Sequence, residues 1–133
     1  QCEEAVRFYQ SVLGGELSIM RYSQLPEEEH IPVSEAWKNK VLHSALTFDD
    51  GNVIYFSDTF EGAPVTFGTF STIHLHVQSA QAVYTIVEKL SKGGTITMPP
   101  AKTFWNAVYG NLVDRYGVSW GVDFEIGDRG NGA

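Results

Sequence analysis

The same order of elements occurs twice in this chain, and such a repeat restricts its architecture more than any single motif does. Residues 3–13 carry Ala5, Val6, Tyr9, Val12 and Leu13 at helical spacing, with Glu4, Arg7 and Gln10 outside that stripe. Gly14-Gly15 ends the helix, because glycine takes a left-handed cap without strain. Residues 17–22 then read as a strand. Residues 41–48 and 53–57 form a hairpin, since Asp50-Gly51-Asn52 between two apolar runs is a tight-turn signal. Further along, Ser79 is placed to cap a helix reaching Lys92, with Val83, Ile86, Val87 and Leu90 on its buried face. Gly93-Gly94 ends it. A strand over 95–98 follows, and Pro99-Pro100 is expected to stop it. Residues 104–113 and 118–126 close a second hairpin around Asp114-Arg115-Tyr116-Gly117.

The predicted fold class is therefore α+β: two βαβββ modules forming a cupped mixed sheet. The second helix is preceded by a strand over 72–77, whereas nothing precedes the first. The repeat thus implies a first strand that is missing from this chain, which begins at Gln1 and not at a methionine. One domain spans 1–133. Module one covers 1–60, a linker 61–70, module two 71–126 and a Gly-rich tail 127–133. Residues 24–40, with Pro26, Pro32 and the acidic run Glu27-Glu28-Glu29, form a long polar connection suited to a lid or pocket wall.

Composition excludes several partners. The chain has 133 residues, 43% of them hydrophobic and 19% charged, which suffices for a core. Its net charge of −7 repels phosphate, so neither nucleic acid nor an anionic membrane is expected as a partner. One cysteine, Cys2, permits no intrachain disulfide, and a reducing, cytoplasmic setting is the natural expectation. Neither a signal peptide nor a membrane-length apolar run is visible. Cys2 sits near a helix N-terminus, where a thiolate is favoured, but it has no histidine nearby in sequence and reads as incidental.

Strand alternation selects the candidate site. Over 72–77, Ile73, Leu75 and Val77 take the face a helix would cover, and Thr72, His74 and His76 take the other. Over 41–48, Leu42, Leu46 and Phe48 oppose His43, Ala45 and Thr47. In the last strand, Val118, Trp120, Val122 and Phe124 oppose Ser119, Gly121 and Asp123. The second faces suit the lining of a ligand cup. His43, His74 and His76 can line a pocket or chelate a metal, with Asp123 a third ligand only if its strand neighbours theirs. Trp105, Ala107 and Tyr109 are expected to share a face, and aromatic rings there suit an apolar ligand or core packing. The candidate ligand-binding residues are His43, His74, His76, Trp105, Tyr109 and Asp123. No phosphate loop, serine elbow, HExxH or CxxC motif is present.

Several stretches resemble the PhnB-like family. They are Cys2-Glu3-Glu4-Ala5, Phe8-Tyr9, Gly14-Gly15-Glu16, Arg21 and Pro26-Glu27-Glu28. The second half adds Gly93-Gly94-Thr95, Met98-Pro99, Thr103-Phe104-Trp105, Tyr109-Gly110, Asp114, Tyr116-Gly117-Val118 and Trp120. The resemblance implies the vicinal-oxygen-chelate superfamily of glyoxalases, extradiol dioxygenases and bleomycin and fosfomycin resistance proteins. It also implies a homodimer, and a divalent metal held at four cup positions in many members. Lined up by strand, one such position precedes Gln1 and the others fall on Ala45, near Thr72 and near Gly121, none a ligand type. His43, His74, His76 and Asp123 lie on the same faces, one pair-step away. Members of this branch often carry a 3-demethylubiquinone methyltransferase label, but methyl transfer needs a nucleotide-type cofactor site that this sequence lacks.

The expected function is metal-independent binding of a small molecule in a cupped pocket, with no cofactor. One alternative is a lyase, isomerase or dioxygenase using zinc, nickel or manganese at His43, His74 and His76. Another is a non-catalytic dimeric regulatory module.

Overall fold

The computed structural model describes residues 1–26, 29 and 31–126. Two stretches noted above, the acidic residues Glu27-Glu28 and the Gly-rich tail, lie outside the described residues. The chain divides into two compact units, Gln1–Thr66 and one beginning at Phe67.

The first unit opens with helix α1, Cys2–Leu13. Its apolar stripe buries Ala5, Val6 and Tyr9, and the Tyr9 ring stacks on Phe56 at 5.5 Å. Gly14 leaves the helix at φ 76. Strands β1 (Glu16–Arg21), β2 (Val41–Thr47) and β3 (Val53–Phe56) form an antiparallel sheet in that order. A short 3-10 turn, Tyr22–Gln24, follows β1. Leu46 and Ser44 are buried on the side of β2 away from His43 and Thr47. Ser44 is tolerated there because its hydroxyl donates to the Phe56 carbonyl at 3.0 Å. Asp58 closes the unit: its carboxylate accepts the Cys2 N–H at 3.2 Å and the Val41 N–H at 2.8 Å.

The second unit runs β4 (Ile73–His76), α2 (Ala80–Leu90), β5 (Thr95–Lys102), β6 (Ala107–Val113) and β7 (Ser119–Glu125). This is a βαβββ order. The sheet order is β4-β7-β6-β5, with β4 parallel to β7 and the other pairs antiparallel. Ser79 caps α2 by accepting the Ala82 N–H at 3.1 Å. Val83, Val87 and Leu90 are buried on α2, which packs on β5, β6 and β7. Each such side chain contributes about 2 kcal/mol of burial. Beneath them lie Leu112, Trp120 and Val122, all fully buried.

Two expectations need correction. Pro99-Pro100 does not stop the strand: β5 continues to Lys102. It is an edge strand, so an absent proline N–H removes no bond on the open side. The register shifts between Ile96 and Met98 and again between Met98 and Ala101. Gly110 opposite leaves room for Pro100, since a Cβ there would meet the Pro100 ring at 3.0 Å. The second correction concerns β6, which begins at Ala107 and not at Phe104. Asn106 has φ 65, and that left-handed residue interrupts the alternation on which the placement of Trp105 rested.

Candidate functional site

Five of the six candidate residues come together on one face of the second unit. The register across β6, β7 and β4 sets Tyr109 opposite Asp123 and Asp123 opposite His76. The next row is Asn111, Gly121 and His74. The third is Val113 with Ser119, whose hydroxyl lies 2.9 Å from that of Thr72. Alternation turns these residues away from α2, whose side holds Trp120 and Val122. His43 belongs to the first unit, where its ring lies 4.9 Å from that of Tyr55.

Gly121 occupies the centre of this grid. A Cβ built there would stand 2.9 Å from His74 Cε1, His74 Nδ1 and Tyr109 Oη. The imidazole and the phenol therefore fill the space that a side chain at 121 would need. The His74 and Tyr109 rings are nearly parallel, 19° apart, with centroids at 6.0 Å. Trp105 joins them from the turn before β6, its ring 6.3 Å from Tyr109, and Phe104 meets Trp105 edge-on at 4.9 Å. A run of four rings thus crosses the face, with Trp105 52% and Phe104 97% exposed at its outer end.

The polar groups are mutually oriented. His76 Nδ1 lies 2.6 Å from Asp123 Oδ1, with the imidazole 77% exposed and the carboxylate mostly covered. That carboxylate oxygen is buried, and despite the short approach it makes no hydrogen bond of good geometry, to His76 or to any other described residue. Asn111 Nδ2 donates to Tyr109 Oη at 3.2 Å. The amide is held that way round because its Oδ1 accepts from the Thr97 hydroxyl. Sequence reasoning missed Asn111, Thr97 and the role of Gly121. Asn111 and Gly121 do share the alternation of Tyr109 and Asp123, and that signal was available.

The positions implied for a divalent metal do not fit one. Ala45 and Thr72 offer no strong ligand, and the space beside Gly121 is taken by His74 and Tyr109. Among the described residues no three His, Cys, Asp or Glu side chains converge as a metal site. The condition set on Asp123 is met, since β7 neighbours β4, but it joins His76 alone.

Other features lie in the first unit. A cavity of about 380 Å³ is lined by Tyr22, Leu25, Ile31, Val33 and Lys38 among others. Its one ammonium, Lys38, already pairs with Glu35 at 3.1 Å. The Cys2 thiol departs from expectation: burial first, and then the Asp58 carboxylate, push its pKa up, so the thiolate is disfavoured.

Comparison with known proteins agrees with this βαβββ geometry. The family model for the glyoxalase/bleomycin resistance protein/dioxygenase superfamily matches residues 1–122. The chain belongs to that superfamily. It is similar to the solved structure of protein PA1353 from Pseudomonas aeruginosa, at 30% identity and a TM-score of 0.82, covering 96% of this chain and 91% of that one. A PhnB protein from Bacillus cereus, bearing the name 3-demethylubiquinone-9 3-methyltransferase, is 27% identical with a TM-score of 0.69, covering 92% and 89%. Protein YjdN of Escherichia coli (strain K12) is 25% identical over 128 residues, which is 92% of this chain and 86% of that protein. No helix among the described residues is long and apolar enough to cross a membrane.

Proposed function

We propose that this superfamily member binds a small organic molecule on the aromatic, polar face of its second unit without a divalent metal. The observation that carries the reading is the seat at Gly121, which His74 and Tyr109 fill with an imidazole and a phenol. The outer rings of Trp105 and Phe104 add exposed apolar area suited to a flat ligand. Methyl transfer is not brought over from the Bacillus cereus protein's name. A sheet with one parallel pair and no Gly-rich strand-to-helix turn lacks the usual nucleotide cradle.

Elemental analysis of the purified protein tests the metal-free part. The expected result is far less than one divalent ion per chain, with no zinc, nickel or manganese retained after dialysis. A near-stoichiometric metal, lost when His74 and His76 are replaced, would overturn it. The binding part is tested by amide chemical-shift mapping with a panel of small aromatic compounds. Shifts should cluster at His74, Tyr109 and Asp123, and Trp105→Ala should weaken them several-fold.

A further inference from the structure

Asp123 is a carboxylate that folding has covered without pairing. Its side chain keeps only 15% of its surface open. Oδ1 is closed off and accepts no hydrogen bond of good geometry. Oδ2 accepts none from any described residue either, but it keeps access to solvent. A covered carboxylate without donors has lost water and gained no partner in return. The other buried acid of this unit is treated differently: Asp114 accepts the Tyr116 and Val118 N–H groups and the Trp120 indole N–H.

The surroundings of Asp123 supply rings and no permanent cation. Among the described residues no lysine or arginine pairs with it, and its one close basic group is His76. Tyr109 is its cross-strand neighbour on β6, and the Cβ atoms of such a pair stand about 5 Å apart. The half-exposed Trp105 ring continues from Tyr109, with centroids 6.3 Å apart. Aromatic faces attract cations as well as flat apolar groups.

We infer that this face takes an arylalkyl ammonium ion, with its ammonium on Asp123 and its ring along Tyr109 and Trp105. The ammonium N–H groups donate to Oδ2, a charge-assisted bond of about 2.8 Å, and so give the carboxylate the partner that the fold withholds. A net charge of −7 draws such a cation and turns away a carboxylate of the same shape. The assignment rests on the proposed binding face and adds the ligand class.

Titration calorimetry with phenethylamine and phenethyl alcohol, paired with NMR shift mapping, provides the test. The two share a ring and a linker, and at neutral pH only the amine is a cation. The amine should bind at least tenfold more tightly. Asp123→Asn keeps the shape of the side chain and should abolish that preference. Asp49→Asn removes an equal charge from an exposed position in the first unit and should leave the preference in place. Trp105→Ala should weaken both compounds several-fold. Thermal unfolding checks that each variant keeps its fold. In the wild type, the Asp123 carboxyl carbon should shift with the amine and stay still with the alcohol. Equal affinity for the two compounds, a preference that survives Asp123→Asn, or a carboxyl carbon unmoved by the amine overturns the ammonium assignment while leaving the binding face intact. If neither compound, nor any other aromatic probe, shifts residues of this face, the binding face itself falls, and the assignment with it.

Discussion

The Trp120 indole N–H donates to Asp114 Oδ2 at 2.8 Å, and both side chains are buried. The other carboxylate oxygen accepts the backbone N–H groups of Tyr116 at 2.8 Å and Val118 at 3.0 Å. One side chain therefore holds both the β6–β7 turn and the indole at the centre of the unit. Asp114→Ala leaves those donors unpaired in a dry setting and should destabilise the protein by about 3 kcal/mol in urea unfolding. Asp114→Asn retains one acceptor oxygen and should lose less. Equal stability of wild type and Asp114→Ala would contradict the assigned role.

Gly94 and Gly14 should respond differently to the same substitution. A Cβ at Gly94 would stand 2.2 Å from the Val113 carbonyl oxygen and 2.8 Å from the Asp114 carbonyl carbon, both backbone. Neither atom can swing aside, so Gly94→Ala should cost about 3 kcal/mol by displacing the β6–β7 turn. Gly14 has open space around it, and Gly14→Ala should cost less, about 2 kcal/mol, all of it from a backbone at φ 76 and ψ −163 that is essentially confined to glycine. Denaturation midpoints of the two variants decide the order.

Glu3 joins α1 to β1. Arg21 donates to both of its carboxylate oxygens, at 2.8 and 3.1 Å, and Arg7 donates to Oε2 at 3.0 Å. These hydrogen bonds, Arg21 first, lower the Glu3 pKa from 4.5 to about 2. A lowered folded-state pKa contributes stability that is fully present above about 4.5 and is lost as pH falls through about 2. Carboxyl NMR titration should find Glu3 ionised at pH 3.5, and Arg21→Ala should move its midpoint up toward 4.5. The pair is partly exposed, so the gain in stability should be small and reduced by salt.

The Cys2 thiol should alkylate slowly. Burial and the nearby Asp58 carboxylate raise its pKa above the usual thiol value, which leaves little thiolate at pH 8. Iodoacetamide should react more slowly with the folded protein than with the same protein in urea. A faster reaction in the folded state would contradict the burial argument.

Much of the fold was legible from the chain because the signals were local. Asp50-Gly51, Ser79 and Gly14 act through their own backbone geometry, and the stripes of α1 and α2 follow helical periodicity. Pro99-Pro100 misled for the complementary reason. Proline ends a central strand but is tolerated at an edge, and edge position is a property of the sheet and not of the segment. Trp105 was placed by extending the period of β6 through Asn106, whose positive φ no alternation rule anticipates.

The candidate site divides the same way. Strand alternation was enough to put His74 and His76 on one face, and Tyr109 and Asp123 on their own strands' polar faces, because a period of two depends only on chain geometry. It could not say that β7 lies between β6 and β4, since strand order is a property of the assembled sheet and not of any one segment. Only the tertiary register brings His76 to 2.6 Å from Asp123 and closes His74 and Tyr109 over Gly121. The sequence determined which residues face away from the core; their pairing across strands was decided by folding, because it depends on contacts between segments far apart in the chain.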